Sequence, residues 1–133
     1  MPFTRISLLK GKSEQYLSAV SESLNLALVE ALEVPENDFF QIIHQHERNE
    51  LIFDINYGGG PRSDDFVLFH ITTGRPRSAE VKADFFHRLV DRLASNPGIR
   101  PEDVLVVIST SAPEDWSFGS GVSAKSVIES AAR

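Results

Sequence analysis

The stretch FVLFHITTGRPRSAEVKADFFHRLVDRLASNPGIRPEDVLVVIST, residues 66–110, reads as strand, helix and strand in turn. Phe66 to Thr72 is rich in β-branched and aromatic residues, which suit a pleated surface that is at least half buried. Gly74 and a basic turn end it. Ser78 then offers a capping oxygen, and Val81, Phe85, Leu89 and Leu93 recur on one face of the helix that follows. Val104 to Ser109 is the second strand. Two strands joined by a helix pair in parallel through a right-handed crossover, so this stretch predicts one βαβ unit.

The same order stands upstream. MPFTRISLL (1–9) alternates Phe3, Arg5 and Ser7 with Thr4, Ile6 and Leu8, as a strand with two unlike faces does. Leu17, Val20, Leu24, Leu28, Ala31 and Leu32 then form a helical stripe behind a cap at Ser13, Pro35 stops it, and FFQIIHQH (39–46) is a strand. The match can be counted: Ser13 and Ser78 are 65 residues apart, and so are Val34 and Ile99. Both helices follow a Gly-basic pair, Gly11-Lys12 and Gly74-Arg75, and both exits carry Pro-Glu, at Pro35 and Pro101. The chain is therefore read as one α/β (α+β) domain over 1–133, a tandem of βαβ units at about 2–48 and 66–110. A turn-rich connector at about 54–65 joins them, its Gly58 to Gly60 read as flexible, and a loop and tail at 111–133 close the chain. Two helices cover one face of a four-stranded sheet, yet VLVVI and FFQII are apolar on both sides. The other face needs a partner, so a homo-oligomer is expected.

Composition narrows the function. With no cysteine, thiol catalysis, disulfides and thiolate metal sites are excluded, and a reducing compartment is suited. A net charge of −6 opposes binding to nucleic acid, which needs a basic face. No charged-then-apolar leader and no bilayer-length apolar run are seen, so a cytoplasmic protein without membrane attachment is expected. The triple glycine lacks the Gly-Lys-Ser/Thr of a phosphate cradle. His44 and His46 share a strand face, but no third ligand is placed with them and no metal is expected.

Other residues carry more chemistry. Pro2 is either a harmless strand start or, once Met1 is removed, a free secondary amine. Arg75 and Arg77 flank Pro76 on a stiffened turn at the start of the second helix, which is either a solvated basic turn or a place where a carboxylate would be well received. Asp38, in PEND, is a turn residue or an acid at the entrance of a strand. Trp116 and Phe118 lie in a glycine-flanked loop after the last strand and serve as core plugs or pocket walls.

Taken together, Pro2, Asp38, RPRS (75–78) and DWSFG (115–119) resemble the tautomerase superfamily, and within it the malonate semialdehyde decarboxylase group. The resemblance runs from Pro2 to about Gly121. The tandem layout permits a ferredoxin-like split βαβ or the four-stranded sheet of small tautomerases, and the resemblance implies the second. It further implies a homotrimer and a cofactor-independent enzyme acting on a small carboxylate. Pro2 would be its amino-terminal base or acid, Asp38 the acidic partner, Arg75 and Arg77 the carboxylate binders, and Trp116 and Phe118 the pocket wall. The sequence departs from the group after Gly121, with Lys125 near an expected aromatic. Two reactions are open: keto–enol tautomerisation of a 2-oxo acid and decarboxylation of a 3-oxo acid, the latter preferred because both arginines and Asp38 are present. The competing expectation is a non-catalytic ferredoxin-like module that binds a small molecule.

Overall fold

The computed structural model describes residues 2–131. Strand β1 (Phe3–Leu9), helix α1 (Glu14–Leu32) and strand β2 (Phe40–His46) form the first unit. Strand β3 (Val67–Thr73), helix α2 (Ala79–Ser95) and strand β4 (Val104–Thr110) form the second. A short helix α3 (Ala124–Ala131), which the sequence reading left as tail, follows β4. The sheet order is β2-β1-β3-β4. Each unit pairs its own strands in parallel, and β1 meets β3 antiparallel at the centre. In a split βαβ a foreign strand would separate each parallel pair. None does, which removes the ferredoxin-like alternative and leaves the tautomerase fold.

The two caps repeat atom for atom. Ser13 Oγ accepts from the Tyr16 N–H at 3.1 Å, and Ser78 Oγ accepts from the Val81 N–H at 3.2 Å. These bonds satisfy donors that a helix start leaves open. α1 ends where Glu33 turns left-handed at φ 55°, and Val34 N–H reaches back to the Leu28 carbonyl at 3.4 Å.

Thr4, Ile6 and Leu8 face the helices, as their alternation predicts, and Ile6 and Leu8 join Val67, Phe69 and Ile71 of β3 in the core. Leu24 and Leu28 of α1 and Phe85, Leu89 and Leu93 of α2 close over them, all at most 1% exposed. Each such side chain contributes about 1.5–3 kcal/mol by leaving water. Phe3, Arg5 and Ser7 point the other way and share a face with Ile42, His44, His70 and Val107 through the strand registers. Among the described residues the core-forming helices α1 and α2 lie on the opposite side, and Phe40, Ile42 and Val107 are exposed on this one.

The connector is organised rather than slack. Arg62 donates to the carbonyls of Asp54, Tyr57 and Gly58, and Arg48 holds Asp64 through two bonds of 3.0 and 2.6 Å. Gly60 is required there, because an added Cβ would stand 2.2 Å from the Ile55 carbonyl oxygen. Asp103, fully buried before β4, accepts from the Ser63 N–H at 2.6 Å and the Ser63 hydroxyl at 2.7 Å. The end of the connector is thereby tied to the second unit.

Candidate active site

Phe3 pairs with Phe40 on one side and Thr72 on the other, while Thr73 pairs with Thr110. The chain leading into β1 and β2 and the chain leaving β3 and β4 therefore meet at one end of the sheet. Every residue singled out for chemistry lies in one of those four segments.

A cleft of about 570 Å³ opens there. Pro2, Asp38, Trp116 and Phe118 all line it. Phe3, Phe40 and Ile42 supply further apolar wall, and Gln41 and Ser117 are its other polar residues. Pro2 is buried. Met1, whose removal the amine chemistry requires, lies outside the described residues. Asp38 sits half-buried at the end of a turn in which its N–H donates to the Pro35 carbonyl at 3.0 Å. That turn delivers the carboxylate to the entrance of β2, beside the start of β1.

The aromatic wall is anchored by a hydroxyl that the sequence reading did not single out. Ser111 Oγ accepts from Trp116 Nε1 at 2.6 Å and donates to the Thr73 carbonyl at 2.8 Å, so the indole is fixed to the end of β3. Ala124 N–H donates to the Trp116 carbonyl at 2.8 Å, and Asp115 Oδ2 accepts from Ala112 N–H at 2.8 Å. The Trp116 and Phe118 rings lie 6.3 Å apart at 50°, an edge-tilted pair.

Arg75 and Arg77 are at the same end of the sheet but are not among the cleft's lining residues. Both donate to the Leu32 carbonyl, Arg77 Nη2 at 2.9 Å and Arg75 Nη2 at 3.5 Å, and Arg75 lies 3.9 Å from Glu33. The cause is local. The left-handed residue at Glu33 leaves the Leu32 carbonyl without a helical donor, α1 has no basic residue in its last turn, and a helix C-terminus attracts cations. The arginines thus turn toward the end of α1 rather than toward the start of α2. Burial, and next to it the Arg75 charge, push the Arg77 guanidinium below its ordinary range, while Glu33 works the other way. Arg77 Nε is buried without a partner among the described residues.

Lys125 lies in a separate depression with Glu114 and Glu129. His44 and His46 stack at 6.1 Å on the open sheet face, where Arg5 Nη1 is 3.2 Å from His44 Nε2. Among the described residues no group of three potential ligands is gathered for a metal.

Residues 38–119 match a family model described as tautomerase enzyme, and residues 2–55 match a second with the same description. The chain belongs to the tautomerase superfamily. This tautomerase is 36% identical over 121 residues to a Bacillus subtilis (strain 168) protein named probable tautomerase YusQ, covering 91% of this chain and 95% of that one. It superposes on a malonate semialdehyde decarboxylase with a TM-score of 0.86 and 32% identity, covering 96% and 98% of the two chains. A second, FG41 malonate semialdehyde decarboxylase inhibited by 3-bromopropiolate, gives 0.85 and 35% with 96% of each chain covered. This tautomerase is accordingly an enzyme of the tautomerase and decarboxylase-like group. Among its described residues no helix is long and apolar enough to cross a membrane.

Proposed function

We propose that this tautomerase decarboxylates a small 3-oxo acid of the malonate semialdehyde type, with the secondary amine of Pro2, bared by loss of Met1, as its acid. The observation that supports this most is the single cleft that gathers Pro2, Asp38, Trp116 and Phe118. An amine at a chain head has no side-chain tether and is compact enough to reach into a cavity. The Asp38 carboxylate favours its protonated form, while the apolar walls favour the neutral one. As a cation it polarises the substrate carbonyl. The electron pair of the bond to the carboxylate then flows into that carbonyl, carbon dioxide leaves, and the enolate takes a proton at carbon.

Arg75 and Arg77 are assigned to the substrate carboxylate, whose breaking bond they hold out of the carbonyl plane. Arg75 is exposed, with its side chain 60% accessible, and so is free to swing from the weak contact at Leu32 toward an anion. Neither step calls for a cofactor, since proton transfer and charge stabilisation suffice. The apolar walls favour a second reading, in which neutral Pro2 shuttles a proton between the keto and enol forms of a 2-oxo acid.

Three copies of the chain are proposed to bury the open sheet face, where Phe40, Ile42 and Val107 stand exposed. The cytoplasm is the proposed compartment, in keeping with a chain that carries no cysteine. The test is Pro2→Ala in protein freed of Met1, assayed for carbon dioxide release from 3-oxopropanoate and for ketonisation of phenylenolpyruvate. Loss of at least about a hundredfold in one of the two supports the proposal. Full activity of the variant on whichever substrate the parent turns over would refute it.

A further inference from the structure

Of the cleft's lining residues Pro2 and Asp38 already have roles; of the two other polar ones, the Ser117 hydroxyl donates to the Gly119 carbonyl at 3.4 Å, and Gln41 has no role yet. Its amide is oriented from α1. Nε2 lies 3.4 Å from the Ser21 backbone carbonyl, which can only accept, so Oε1 faces the Ser21 hydroxyl and accepts from it at 2.5 Å. The nitrogen carries two hydrogens and gives one to Ser21. Among the described residues the other has no acceptor.

Thr4, on the helix-facing side of β1 and outside the cleft's lining, is a second unpartnered group next to Gln41. It stands opposite Gln41 in the β1–β2 register and two residues from Pro2. It is 1% exposed, and its hydroxyl has no partner among the described residues. Buried polar groups are nearly always bonded. Beside Gln41, then, a second polar group lacks a partner, on the helix-facing side of β1 rather than in the cleft wall; within the cleft Phe3, Phe40 and Ile42 offer the amide no acceptor side chain, and the side-chain oxygens there besides its own are those of Asp38 and Ser117.

We propose that Gln41, locked by Ser21, is the substrate-orienting residue of this cleft. Its free N–H binds the carbonyl or enol oxygen of the oxo acid and keeps the carbon that exchanges a proton over the Pro2 nitrogen. A long amide without such a lock would lose rotamer freedom on binding. With the lock in place the donor is already aimed, which makes Ser21 a positioning residue acting through Gln41. The inference rests on the role proposed for Pro2 and adds a recognition element to it.

The experiment uses full-length protein freed of Met1 and phenylenolpyruvate as the probe, with kcat and KM determined for each variant and thermal melting measured alongside. Gln41→Leu is expected to lower kcat/KM about tenfold, the worth of one hydrogen bond to the reacting oxygen, with little change in melting. Ser21→Ala is expected to fall between, and Ser21→Thr, which keeps the hydroxyl, to restore the parent value. A Gln41→Leu enzyme within twofold of the parent overturns the inference. So does a Ser21→Ala enzyme indistinguishable from the parent, a comparison that holds even if Gln41→Leu does not fold. Pro2→Ala in the same assay separates the two claims: if it is inactive while the Gln41 variants are unchanged, only the role of Gln41 falls.

Discussion

Ser111→Ala removes the hydroxyl that joins Trp116 Nε1 to the Thr73 carbonyl. Two bonds go, at 2.6 and 2.8 Å, while the Ser111 N–H keeps its own bond to Thr73 at 2.9 Å. The carbonyl therefore stays satisfied and the indole N–H does not. At about 1 kcal/mol for each bond, less what a relaxed loop recovers in water, the cost is about 1–2 kcal/mol. For a domain of this size that lowers the melting temperature by roughly 3–8 °C. Because the chain has one tryptophan, its fluorescence reports on this wall alone. Emission should move to longer wavelength and acrylamide quenching should rise, as the ring is no longer pinned to β3. Trp116→Phe keeps an aromatic wall without the N–H, so the double variant should cost about 1 kcal/mol less than the two single changes summed. Unchanged emission and melting in Ser111→Ala would refute the anchoring, and strict additivity would show that the hydroxyl and the indole do not cooperate.

Other outcomes follow from the same geometry. Asp103→Ala leaves the Ser63 N–H and hydroxyl without their buried acceptor and should cost about 3 kcal/mol in urea unfolding; a loss below about 1 kcal/mol would contradict the tie between connector and β4. Tyr16 is held protonated, its phenol pushed up to about 12 by burial first and then by Asp65 and Asp103. In the unfolded chain the phenol ionises near pH 10, so the stabilisation is complete below about that pH and is lost as pH rises toward the folded value. Tyr16→Phe should accordingly lose less melting temperature than the parent between pH 9 and pH 11; equal losses would contradict the burial effect.

The repeat was legible because its signals are local. Ser13 and Ser78 cap their helices as the 65-residue offset requires, and the alternation in β1 sends Thr4, Ile6 and Leu8 inward. The convergence of Pro2 and Asp38 with Trp116 and Phe118 was legible only through family likeness, since strand register decides it. What escaped depends on contacts far apart in the chain. The partner of Arg75 and Arg77 is a carbonyl exposed by how α1 ends, a backbone event at Glu33 that no residue type announces. Gln41 owes its orientation to Ser21, and Trp116 owes its own to Ser111 and Thr73. Helix α3 spaces Ala124, Val127, Ile128 and Ala131 along one face, but at eight residues it is too short for that pattern to stand out, although its first residue, Ala124, is the donor that holds the Trp116 carbonyl.

The central claim is that a bare Pro2 nitrogen in the cleft does the chemistry. It is tested most directly by treating Met1-free protein with one equivalent of 3-bromopropiolate, then mapping the adduct by peptide mass spectrometry while activity is followed. The account predicts a single adduct on Pro2, formed in step with the loss of activity and absent from protein that retains Met1. Full inactivation with the adduct on any other residue, or complete labelling of Pro2 with activity intact, would contradict it.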